Sequence, residues 1–142
     1  MENYWLWVNS GKMDVGDDLE KDYKSTWYGC HKDTKKSDKV LIYRVNPHKH
    51  IKYLAEIIED CEQDLIRTDM GTKEGYKCQF KILESFDDPL EISDMRKTPL
   101  EDWYPLKLSF RRMVFPIDEK YWLELKEIIT RKKRNHETID SF

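Results

Sequence analysis

Polar and apolar positions alternate most regularly at 76–83, where Tyr76, Cys78, Phe80 and Ile82 are interleaved with Lys77, Gln79 and Lys81. A period of two sends one set to a core and the other to water, so this stretch predicts a half-exposed antiparallel strand. Residues 3–9 are apolar on both faces and end in Asn9-Ser10-Gly11, the pattern of a buried central strand running into a turn. Residues 39–45 carry branched and aromatic side chains after a Ser37-Asp38 turn, and Asn46-Pro47 stops them. The segment 53–61 reads as a strand with helix as the competing reading, while 89–93 and 113–117 read as short strands and 99–103 as a helical turn. The best helix begins at Asp118, a good N-cap. Tyr121, Trp122, Leu125, Ile128 and Ile129 then share one side, and Arg131-Lys132-Lys133-Arg134 supplies cations suited to a helix C-terminus. Residues 12–24 hold Asp14, Asp17, Asp18 and Glu20 with few apolar anchors, and read as loop with one short helix.

Several strands with few helices predict an α+β fold, a small curved β-barrel of about five to six strands with peripheral helices. Neither an internal repeat nor a low-complexity linker divides the 142 residues, so one domain is expected over 1–142, ending in a basic, mobile tail from about 131. Charged residues make up 37% and hydrophobic ones 39%, which excludes a disordered chain and a membrane-embedded one. No apolar run reaches the roughly 18 residues of a spanning helix, and residues 4–8 lack the length and basic flank of a signal peptide. Cys30, Cys61 and Cys78 are odd in number and form no CxxC pair, so reduced thiols and a cytoplasmic location are expected. The net charge of −3 argues against coating duplex nucleic acid by bulk electrostatics. Five Trp and eight Tyr provide large rigid surfaces, for a core or for stacking on a base.

The chain carries no GxSxG elbow, P-loop, GxGxxG or HExxH, so the common nucleophile, phosphate and zinc-protease machineries are absent. Cys30-His31 are sequence neighbours, which usually point apart, so an inert thiol is expected there. His48-x-His50 offers two imidazoles where a metal needs more, and reads as a solvated pair; no metal or cofactor is assigned. Asp17-Asp18 and Asp87-Asp88 read as turn residues. Gln79-Phe80-Lys81 is a distant likeness of the carboxylate-x-Lys of metal-dependent nucleases, weakened because Gln is a poor Mg²⁺ ligand. Arg111-Arg112, with Lys107 nearby, reads either as a phosphate contact or as a solvated turn. Trp27-Tyr28 follows a polar stretch. Trp27 with Asn9 and Ser10 would give a flipped base a stacking face and fixed polar partners; the alternative is that Trp27 plugs the core.

The order of Tyr4-Trp5-Leu6, Trp27, the block Ser37 to Arg44, Ala55-Glu56-Ile57, Pro89-Leu90-Glu91-Ile92 and Ile117…Trp122-x-x-Leu125 resembles an EVE-domain protein of the PUA-like superfamily. The likeness runs over about residues 3–129. It implies a PUA-like barrel related to YTH domains, and a non-catalytic prokaryotic reader of modified bases in DNA or RNA, often linked to restriction and defence. Trp27 matches the Trp that walls the base pocket of such relatives, and Asn9-Ser10 the polar end of the first strand. Tyr28 stands where relatives often have a small polar residue. Arg111 and Arg112 fall near the basic loop that approaches the backbone. Ser37-Asp38 replaces the usual Gly-Asp. The competing functions are a metal-dependent nuclease using the Gln79 and Lys81 face, and a protein-interaction adaptor that binds no nucleic acid.

Overall fold

The computed structural model describes residues 3–9, 25–28, 30–44, 49–68, 71–96, 98–107 and 114–140, so the expected loop at 12–24 lies outside the described residues. Strand β1 (Tyr4–Asn9) is buried on both faces, as its unbroken apolar run requires: Trp5, Leu6, Trp7 and Val8 are all at most 4% exposed. It runs parallel to β3 (Lys39–Arg44) on one edge and antiparallel to β7 (Val114–Pro116) on the other. Strand β3 pairs with β4 (His50–Ile57), and β4 pairs with β6 (Gly71–Glu91). Strand β6 also takes β2 (Ser25–Tyr28) and β5 (Glu62–Thr68). The order is β2-β6-β4-β3-β1-β7, with β5 attached to β6. Among the described residues the sheet has seven strands, against about five to six expected for the small curved barrel.

The sheet is curled. Strands β3 and β4 lie between β1 and β6, which would hold these two about 14 Å apart in a flat sheet. Yet Trp7 of β1 meets Phe80 of β6 edge to face with ring centroids 5.2 Å apart. Alternate positions of β1 and β3 therefore feed two separate clusters. Trp5, Trp7, Val40 and Ile42 line the inside of the curl with Tyr53, Ile57, Cys78 and Phe80. Leu6, Val8, Leu41 and Tyr43 face the other way, where the helices cover them.

The covering elements follow β6 directly. Helix α1 (Ile92–Arg96) buries Met95, and a 3₁₀ turn at Pro99–Asp102 is capped by the Thr98 hydroxyl, which accepts the Leu100 N–H at 3.1 Å. After α2 (Tyr104–Lys107) and β7, helix α3 (Glu119–Asp140) begins with Tyr121 and Trp122 N–H groups donating to the Asp118 carbonyl. Leu125 and Ile128 sink into the outer cluster, and Trp122 stacks on Tyr4 at 4.4 Å.

The structure departs from the expected elements in several places. Of the segment expected as a tail from about 131, the described residues 131–140 belong to α3. Its Lys132 is held by Asp88 at 3.2 Å, Asp94 at 2.5 Å and the Pro89 carbonyl at 2.8 Å, and Lys133 pairs with Glu84. The strands expected at 76–83 and 89–93 belong to one 21-residue β6 that runs through Asp87 and Asp88 and ends at Glu91, because pairing with β4 continues to its end. Strand β4 starts at His50, three positions before the expected 53, and stops at Ile57. His50 is therefore a strand residue, its Nδ1 3.6 Å from Glu91, while His48 lies outside the described residues.

Two of the three thiols are not reduced: Cys30 and Cys78 form a disulfide, with Cα atoms 6.4 Å apart and 48 positions of separation. Composition could not show this, since only the β2–β6 ladder and the Cys30 N–H to Tyr76 carbonyl bond bring the two together. Closing such a loop contributes on the order of 4 kcal/mol in the chain-entropy account. Cys61 is free, and burial pushes its thiol pKa up. The thiol argument for a reducing cytoplasm loses its basis. Among the described residues no helix is long and apolar enough to cross a membrane.

Candidate functional site

Strand β2 owes its existence to pairing. Ser25-Thr26-Trp27-Tyr28 lacks the alternation that would announce a strand, but its antiparallel ladder sets Trp27 opposite Cys78 and Tyr28 opposite Lys77. Trp27 stands out in the sequence for having no pattern around it, and its backbone lies in a strand. Asn9 ends β1 opposite Arg44. Along the sheet, β3, β4 and β6 intervene between β1 and β2, so any meeting of Asn9 with Trp27 has to cross the inside of the curl. Ser10, Arg111 and Arg112 lie outside the described residues.

At the start of β1 the side chains are closely tied. Asp38 is 1% exposed, and its carboxylate accepts from the Asn3 N–H (2.9 Å), the Trp5 indole Nε1–H (2.9 Å) and the Lys35 N–H (2.9 Å). A buried carboxylate is tolerated only when its oxygens are satisfied in this way, and these bonds lock the indole of Trp5 in one orientation. Ser37, just before it, has φ of 77°, a left-handed conformation that favours glycine. The ring of Trp5 also stacks on His31 at 5.0 Å, and His31 Nδ1 accepts the Asp33 N–H at 3.0 Å. Tyr4, Trp5, His31, Asp33 and Asp118 border a cavity of about 340 Å³. Sequence reasoning misses this group, because Cys30-His31 presents itself there only as a catalytic pair; the signal that would find it is the Trp5, His31 and Asp38 combination around one turn.

Other candidates separate. Gln79 is exposed and Lys81 half-buried on β6. Among the described residues no three of His, Cys, Asp and Glu are grouped as a metal site would need. The basic run of α3 is partly spent within the molecule. Burial alone would lower the Lys132 pKa, but the carboxylates of Asp94 and Asp88 outweigh it and hold the ammonium above its ordinary value. A groove of about 170 Å³ between β6 and α3 is floored by Leu41, Leu54, Phe86, Trp122 and Ile129.

The sequence matches the EVE domain family over residues 3–128. A search of curated proteins gives no match. Among solved structures, a hypothetical protein from Leishmania major shares the fold with a TM-score of 0.76 at 18% identity, covering 94% of this chain and 98% of that one. The human THYN1 protein, solved in complex with DNA containing 5-methylcytosine, has a TM-score of 0.68 at 12% identity, covering 90% of this chain and 98% of its own. A point mutant of the ZmASCH protein from Zymomonas mobilis has a TM-score of 0.60 at 10% identity, with 87% and 96% covered.

Proposed function

Because the chain belongs to the EVE-domain family, we propose that it is a non-catalytic nucleic-acid-binding module that reads a modified base flipped out of DNA or RNA. The observation that carries the reading is the EVE-domain match, which spans nearly all of the fold. It is supported by the fold shared with a protein solved on 5-methylcytosine DNA.

Cross-strand partners share a face of a sheet. Position 27 is paired with Cys78, which belongs to the cluster inside the curl with Trp5 and Trp7. The reading therefore assigns Trp27 to the concave face, where an extruded base is shielded from water and stacking contributes about 1–3 kcal/mol. In this reading Asn9 and Ser10 supply donors and acceptors to the base edge, Tyr28 borders the entrance, and Arg111 and Arg112 hold a phosphate. The net charge of −3 leaves affinity to this local site, with a small number of phosphate contacts and a shallow salt dependence.

The test is a titration of wild type and Trp27→Ala against oligonucleotides with and without 5-methylcytosine, run with and without Mg²⁺. Wild type is expected to prefer the modified strand, and Trp27→Ala to lose that preference while keeping its thermal transition. An unchanged preference in the variant sinks the pocket, and Mg²⁺-dependent cleavage replaces the reader with a nuclease.

A further inference from the structure

Strand β2 is short, with four residues, and among the described residues it pairs only with β6. A pairing of that length is marginal without other support. The support is covalent and sits at the rung that matters. Cys78 is the residue directly opposite Trp27, and Cys30, two positions beyond the end of β2, is bonded to it. The Cys30 N–H also donates to the Tyr76 carbonyl at 3.2 Å, so the chain leaving β2 is pinned to β6 at two points. Cys30 is 6% and Cys78 1% exposed, so a reductant reaches the bond only in transient local openings.

We propose that the Cys30–Cys78 disulfide is a redox latch on the strand that carries Trp27, so that reduction releases β2 from β6 and weakens the base site. The inference rests on the reading of Trp27 given above. The chemistry is ordinary thiol–disulfide exchange with a dithiol reductant. One reductant thiolate attacks a latch sulfur, forming a mixed disulfide and expelling the other cysteine, which takes up a proton. The second reductant thiolate then displaces the protein. Two electrons and two protons end on Cys30 and Cys78, and the reductant leaves as its own disulfide. Cys61 belongs to the rim of the same cluster, but its Sγ faces the Lys32 carbonyl at 3.1 Å and burial pushes its thiol pKa up, so the attacking thiolate is taken from an external reductant.

The experiment uses the full chain with Cys61→Ser, compared oxidised, reduced with dithiothreitol, and as the further double variant Cys30→Ala and Cys78→Ala. The oxidised protein is expected to titrate with no free thiol. If β2 is docked for about a tenth of the time once the bond is gone, the affinity for a duplex carrying one 5-methylcytosine falls about tenfold, and amide exchange at 25–28 rises about tenfold or more while that of 40–42 holds. Two free thiols in the air-oxidised protein, equal exchange in the two states, or exchange that rises uniformly over all strands overturns the latch. Local release of 25–28 with unchanged affinity overturns its link to the base site. If 25–28 is released locally and no oligonucleotide binds in either state, the latch stands and the base reading falls.

Discussion

The two faces of β1 and β3 are held by different means. On the outer face, Leu6, Val8, Leu41 and Tyr43 meet Phe86, Leu100, Trp103, Leu125 and Ile128, a cluster closed by helices and stabilised by burying apolar area. Inside the curl, the cluster around Trp5, Trp7 and Phe80 includes no residue of the described helices. It relies on a buried carboxylate, a disulfide and edge-to-face aromatic contact. The outer face can repack when a side chain changes. The inner one is held in addition by directional bonds to Asp38 and across the disulfide.

The largest expected effect tests whether aromatic packing dominates inside. Phe80→Ala should lower stability by about 4 kcal/mol, against about 3 kcal/mol for Leu125→Ala outside, read from urea midpoints. Equal losses would erase the distinction. Next, Asp38→Ala orphans the Trp5 indole and two backbone N–H groups and should cost about 3 kcal/mol. A loss below about 1 kcal/mol would mean that the polar anchor does not hold the inner wall.

Tyr43 probes the outer face. Burial, reinforced by the charge of Glu91, pushes its phenol from 10.0 to about 12. Below pH 10 both states keep the proton and nothing changes. Between the two values only the unfolded chain ionises, so stability should fall by a little under 3 kcal/mol, and the loss is complete above 12. Tyr43→Phe should flatten that alkaline slope in pH-dependent urea melts. The smallest effect is a gain: Ser37→Gly relieves the left-handed backbone before Asp38 and should add about 1 kcal/mol.

Unbroken apolar runs make β1 and β3 legible, alternation the middle of β6, and a one-sided apolar stripe the helix α3. Strand β5, Glu-Gln-Asp-Leu-Ile-Arg-Thr, is not, since its polar residues form a strand only through the ladder with β6. The same holds for β2, and the disulfide beside it depends on contacts 48 positions apart. At the candidate site, the exceptional character of Trp27 can be read from its surroundings. The group around Trp5 cannot, because Asp38 and His31 owe their positions to a turn that looks like any other polar turn.

Strand β1 lies between β3 and β7, and its Tyr4 carbonyl accepts the Ile117 N–H at 2.8 Å. Strand β1 is thus enclosed by a strand more than a hundred positions further along the chain. On the ribosome, where domains are synthesised from the N-terminus, Trp5 and Trp7 have to wait for more than a hundred residues before their neighbours are complete. Closure of so distant a pair slows folding, and the edge of β1 that β7 covers stays open until residues 114–116 emerge.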